Sequence, residues 1–165
     1  MSADDIKRIL QLKPLELEGG FFRETYRSHW TFSGGLSSPY HGSRSVGTAI
    51  YYMITPQTFS RLHRLPGTEI FHFYLGDPAV MLQLLPDGSS LTLTLGTDLA
   101  HGQQPQIVVS GGVWQGCKLA PGGEFALLGT TMSPGFDYAD YENGDRAPLI
   151  ARYPGAAVLI REYAK

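Results

Sequence analysis

Cysteine is almost absent from this 165-residue chain. Its one thiol, Cys117, excludes an internal disulfide and a cysteine-rich zinc site, so a reducing, cytoplasmic setting is expected. Charge is scarce as well. Asp, Glu, Lys and Arg make up 17% of the residues, against about 25% in an average soluble domain. Thirteen Lys and Arg stand against 15 Asp and Glu, a net charge of −2, and no basic run exceeds two residues. A nucleic-acid polymer is therefore not expected as a partner, because such binding rests on a basic stripe. No apolar run approaches the ~18–20 residues that span a bilayer, and the acidic start Met1-Ser2-Ala3-Asp4-Asp5 is unlike a signal peptide. No membrane partner is expected.

Turn formers, by contrast, are abundant: 20 glycines and 11 prolines punctuate a chain that is 42% hydrophobic and 12% aromatic. Ser2 followed by Asp5 resembles a capping box, and Ile6, Ile9, Leu10 and Leu12 mark one face of a short helix that Pro14 ends. From there the period becomes that of strands, with strand-like runs at 20–27, 48–54, 59–65, 69–75, 80–85, 91–95, 106–109, 112–119, 124–131 and 157–163. Pro66-Gly67, Gly76-Asp77-Pro78 and Pro86-Asp87-Gly88 separate them as turns. Residues 32–47 read as a mobile Gly/Ser/Pro loop, and 133–156 as a loop packed over one end, with a turn of helix near Ala139–Tyr141. With no repeat and no linker, the expectation is one all-β domain over 1–165, a sandwich or barrel with a short N-terminal helix.

The segment Phe59 to Gly76 carries the polar residues that matter. In a strand over 69–75, Glu69, Phe71 and Phe73 share one face, while Ile70, His72 and Tyr74 share the other. Glu69 thus falls on an inward apolar face. A buried carboxylate costs several kcal/mol unless a partner meets it, and His63, across the Pro66-Gly67 turn, is the nearest candidate.

The spacing His63-x5-Glu69-x6-Gly76 is similar to the first motif of the cupin superfamily, and Gly112-Val113-Trp114-Gln115 resembles the second. Three further runs, Glu18 to Tyr26, Thr48 to Tyr52 and Ser133 to Tyr138, together with Leu62-His63-Arg64 and Glu69-Ile70-Phe71-His72, resemble a small-cupin family catalogued as a domain of unknown function. The resemblance runs from Ile6 to Ile160 and implies a double-stranded β-helix, or jelly roll, that is usually dimeric and has a pocket in the barrel mouth. The dTDP-4-dehydrorhamnose 3,5-epimerases, which act on nucleotide sugars without a metal, are its enzymatic relatives in shape. Two cupin metal positions are replaced here, a His by Leu65 and another by Gln115. The ligands left to a divalent ion are His63, Glu69 and Gln115, too poor a set for a tight site, and a metal-free protein is expected.

The functional expectation is a pocket for a sugar- or nucleotide-like small molecule, with epimerase or isomerase chemistry in which His63 is the general base and Glu69 orients it or acts as acid. Arg23, Tyr51, Ser60, His72, Tyr74, Gln115, Phe136 and Asp137 are the expected ligand contacts. By parity only one of Arg23 and Glu24 faces inward, and His72 does so only if a bulge turns it. A non-catalytic binding module is the alternative, and a metal-dependent cupin enzyme the third reading. Trp114 and Cys117 are expected to pack rather than react.

Overall fold

The computed structural model describes residues 1–33, 39–40 and 42–164. Ser2 caps the helix α1 (Ala3–Leu10) in a complete capping box with Asp5. The strands follow in chain order: β1 (Lys13–Pro14), β2 (Phe21–Arg27), β3 (Thr31–Ser33), β4 (Ser43–Ser45), β5 (Thr48–Ile54), β6 (Ser60–Arg64) and β7 (Glu69–Gly76). Then come β8 (Ala79–Leu84), β9 (Ser90–Leu95), β10 (Gln106–Val109), β11 (Trp114–Leu119), β12 (Ala126–Met132) and β13 (Glu142–Asn143). Two helices, α2 (Arg146–Arg152) and α3 (Ala157–Tyr163), follow them.

Two sheets face one another, in the orders β1-β2-β5-β12-β7-β10 and β13-β6-β11-β8-β9. Every strand pairing within them is antiparallel. From β5 on, sequence neighbours alternate between the sheets, as with β5 and β6 or β11 and β12, except for the β8–β9 hairpin, and the result is the expected all-β jelly roll. Between the sheets lie Tyr52, Ile54, Phe71, Met81, Leu95, Ile107, Val109, Cys117 and Leu128, the inward-facing alternate residues of their strands.

Both outer faces are partly roofed. Ile6 of α1 packs on Met53, Phe125 and Leu127 of the first sheet. Full burial of one such side chain contributes roughly 1.5–3 kcal/mol. Across the second sheet, α2 and α3 lay Leu149, Ile160 and Tyr163 on Leu62, Leu82, Leu84 and Trp114. Covered on both faces, β8 is buried at five of its six positions.

Four sequence expectations are corrected here. Residues 157–163 form a helix, not a strand: Ile160 is fully buried and Val158 is 70% exposed, although strand alternation would put both on one face. The buried set Ala156, Ile160, Tyr163 and Ala164 follows the helical period. Residues 146–152, read as part of a loop, form α2. Ile9 does not share the buried face of Ile6 and is 55% exposed. Within the segment read as a loop at 32–47, β3 pairs with β4, while residues 34–38 and His41 lie outside the described residues. A 3-10 turn at Tyr138–Asp140 agrees with the expected turn. Among the described residues no helix is long and apolar enough to cross a membrane.

Candidate functional site

A cavity of about 620 Å3, counting its open mouth, lies between the sheets and is walled chiefly by the first. Phe22 and Glu24 of β2, Thr48 and Ile50 of β5, Glu69 of β7, and Thr130 and Met132 of β12 face it. Leu15, Leu17, Glu18 and Leu65 close one side, and Phe136, Tyr138 and Tyr141 close another.

On β2 the tie between Arg23 and Glu24 is resolved by Phe22: Phe22 and Glu24 face the cavity and Arg23 faces away. Register then shifts between Glu24 and Tyr26, with Thr25 as the extra residue. That bulge returns Arg27 to the cavity wall, where unbroken alternation would have placed Tyr26. Arg27 grips Glu24 with both arms (Nε to Oε1 3.0 Å, Nη2 to Oε2 2.7 Å) and donates to the Phe136 carbonyl at 3.2 Å.

Three buried polar side chains meet at the inner wall. Gln115 sits opposite His63 in the β6–β11 pairing. His63 Nδ1 lies 2.7 Å from the Arg61 carbonyl, which can only accept, so Nδ1 carries the proton and Nε2 is left as an acceptor. The Gln115 Nε2 amide donates to that Nε2 at 3.3 Å and to Glu69 Oε2 at 2.5 Å. Both bonds come from one amide nitrogen, and Gln115 Oε1 is buried without a partner. The Tyr141 hydroxyl is likewise buried and unpartnered, while its ring stacks on His63 with centroids 5.0 Å apart. Burial raises the Glu69 carboxyl from 4.5 to about 7; the negative Glu18 adds to the rise, and His63 and hydrogen bonds from Thr130 and Gln115 oppose it.

Glu18 arrives from the turn before β2. Its Oε1 accepts from the buried Ser60 hydroxyl at 2.5 Å. Next to it, Gly19 has a φ of 106°, and a β-carbon there would run into the Phe59 carbonyl oxygen, so only glycine fits. On the opposite wall Asp140 receives both arms of Arg44 at 2.6 and 2.7 Å in a buried ion pair, fixing the segment that carries Phe136, Tyr138 and Tyr141.

Of the sequence-predicted residues, the structure therefore brings His63, Glu69 and Gln115 together and puts Phe136 on the cavity wall. Ser60 stands behind Glu18. Asp137 is spent on its own turn, accepting from the Ala139 amide. Arg23, Tyr51, His72 and Tyr74 are not brought to the cavity but share the outer face of the first sheet. There Arg23 lies over Tyr51, Tyr51 meets Tyr74 edge to face, and His72 Nε2 is 2.7 Å from the Thr131 hydroxyl. Strand parity dictates this: Glu69 and Tyr52 point in, so His72 and Tyr51 point out. The residues that sequence reasoning missed as site groups are Glu18, Glu24, Arg27, Tyr138 and Tyr141.

The donor set does not fit a metal ion. Gln115 turns its amide hydrogens, not its oxygen, toward both His63 and Glu69, occupying the lone pairs that an ion would need. Among the described residues no three His, Cys, Asp or Glu side chains are grouped to hold one.

Comparison with known proteins places these features in a lineage. Residues 4–143 match the family described as "Cupin superfamily (DUF985)". "Uncharacterized protein YML079W" of Saccharomyces cerevisiae is 32% identical over 134 residues, covering 75% of this chain. The chain spans 66% of the length of that curated relative. Protein SO0799 from Shewanella oneidensis has 32% identity and a TM-score of 0.88, covering 100% of this chain and 98% of its own. A hypothetical protein from Leishmania major has 29% identity and a TM-score of 0.90, with 99% of each chain covered. At 17% identity a dTDP sugar isomerase from Desulfovibrio desulfuricans G20 shares the fold, with a TM-score of 0.54 over 81% of this chain and 87% of its own.

Proposed function

The chain belongs to the cupin superfamily, in its DUF985 family, and on that premise we propose that it is a metal-free cupin enzyme that moves a proton on a sugar-sized substrate held between its sheets. The cavity is lined mainly by apolar and aromatic side chains with a few polar groups turned into it, the make-up of a small-molecule site. The observation that carries the reading is Glu69: a buried carboxyl on the cavity wall, raised to about 7 and oriented by Gln115. A group that titrates near neutral pH gives and takes protons most efficiently there. Aldose–ketose isomerisation moves a proton between adjacent carbons on one face of an enediol, and one carboxyl on that face can take the proton and return it.

His63 takes a different part from the general base first expected. Its Nδ1 is engaged by the Arg61 carbonyl, its Nε2 accepts from Gln115, and Tyr141 covers its ring. It is a positioning residue, fixing the amide that fixes Glu69. The isomerase that shares the fold supports the reaction class by analogy of architecture alone. The same reading carries a cytoplasmic homodimer with no nucleic-acid polymer or membrane as partner, and light scattering checks the dimer.

Incubation with aldoses and ketoses in deuterated water, followed by proton NMR, tests the reaction. Exchange next to the carbonyl that Glu69→Gln abolishes while binding persists is the expected result. Binding without exchange in the wild type overturns it in favour of a non-catalytic binding module.

A further inference from the structure

The charges around the cavity do not balance. Three carboxylates line it, Glu18, Glu24 and Glu69, and among the described residues Arg27 is the one cation on its wall. Arg27 is spent on Glu24 and on the Phe136 carbonyl. Among the described residues no Lys or Arg forms an ion pair with Glu18 or Glu69: Glu18 takes the Ser60 hydroxyl and Glu69 the Gln115 amide. They are close enough that the charge of Glu18 makes Glu69 harder to ionise.

Beside this pair, on the cavity wall, the hydroxyl of Tyr141 is buried without a partner, and behind Glu69 the fully buried Gln115 has one such atom, Oε1. A polar atom buried without a partner is unfavourable, so a group that can hydrogen-bond to Glu18, Glu69 and the Tyr141 hydroxyl together is what this end of the cavity lacks. A phosphate or carboxylate would meet the like charge of Glu18 and, once ionised, of Glu69. A protonated nitrogen would meet opposite charge and supply two or three donors. Phe22, Phe136 and Tyr138 add aromatic surface, which favours a cation over an anion.

We propose that the substrate of this cavity carries a protonated nitrogen, an ammonium or amidinium group on a sugar-sized body, seated between Glu18 and Glu69 with the Tyr141 hydroxyl as a further acceptor. The inference rests on the reading of this cavity as the substrate site and narrows its substrate class. Amino sugars fit; nucleotide diphosphate sugars do not. A cation seated there also holds Glu69 in its carboxylate form, so binding at neutral pH releases a proton and leaves the base ready to act.

Two matched series test it, glucosamine with glucose and glucuronate, and benzylamine with benzyl alcohol and benzoate. Each is titrated to tens of millimolar against the wild type, Glu18→Gln and Glu69→Gln, with side-chain NMR signals of Met132 and Tyr141 reporting on the cavity. The amine of each series is expected to bind about ten-fold tighter than its neutral and anionic counterparts. That preference is expected to disappear in both variants, whose melting curves confirm folding. If the neutral or anionic member shifts the cavity signals at equal or lower concentration, the cationic substrate is wrong and the cavity reading stands. If none of the six shifts them, both fall.

Discussion

Tyr141 lies flat on the His63 ring, with the planes 16° from parallel, so the segment after β12 closes the cavity by stacking on the imidazole that holds Gln115 in place. The contact joins the cavity wall to the polar cluster behind it. Removal of the Tyr141 hydroxyl and of its ring should therefore have opposite effects.

Tyr141→Phe keeps the stack and deletes a buried, unpartnered hydroxyl. Stability should hold or rise by up to about 1 kcal/mol, with ligand affinity lowered. Tyr141→Ala loses the stack and should cost about 2 kcal/mol, since the side chain is only half-buried. Urea denaturation of both variants measures the difference.

Glu69 gives the protein a pH dependence of definite sign. Its folded-state carboxyl is raised from 4.5 to about 7, so the buried site favours the protonated form. The stabilisation is complete below the ordinary carboxyl range and is lost as pH rises through about 7. At 1.36 kcal/mol per pKa unit the loss is at most ~3 kcal/mol. Glu69→Gln should therefore gain on the wild type by up to that amount between about pH 5 and about pH 8. A stability difference that stays flat across the range would mean that Glu69 titrates as an ordinary carboxyl.

Gln115→His should create a metal site at the inner wall of the cavity. The new imidazole would stand beside His63 and Glu69, completing two nitrogens and one oxygen with lone pairs free to coordinate. A chelator-sensitive rise in melting temperature with zinc or nickel is expected in the variant and not in the wild type. Elemental analysis of the dialysed proteins gives the stoichiometry.

Arg44→Ala should be among the costliest surface-distal changes. It strands Asp140, whose carboxylate is buried and held by both guanidinium arms, at a cost of about 3–5 kcal/mol. The pair Arg44→Met with Asp140→Leu should cost less than either single alanine variant, because it leaves no unpaired charge. A double-mutant cycle by chemical denaturation decides this.

Sequence alternation was a good guide wherever the strands ran unbroken. The turns at Pro66-Gly67, Gly76-Asp77-Pro78 and Pro86-Asp87-Gly88 delimit β6 to β9, and the parity of β7 placed Glu69 and Phe71 inside and His72 outside. It failed where one residue was inserted, since the bulge at Thr25 exchanges the faces of Tyr26 and Arg27 and nothing in the local composition announces it. Glu18 and Tyr141 lie in segments with no period to read, and their places depend on contacts with Ser60 and His63, 42 and 78 positions away. The run 157–163 is short and apolar, so its period alone could not separate a strand from a helix. What decided it was the uncovered apolar face of the second sheet, a tertiary demand. Phe22 could have resolved Arg23 against Glu24, because its own inward parity carries Glu24 with it.

Cys117 lies fully buried between the sheets, and burial pushes its thiol far above the range in which thiolate forms. Toward maleimides and other thiol reagents the folded protein should thus behave as though it had no cysteine at all. A single cysteine introduced at Tyr138, which is 57% exposed at the rim of the cavity, would be the sole site of labelling. An environment-sensitive dye there would turn the native chain, with no background to engineer away, into an optical sensor of its own ligand.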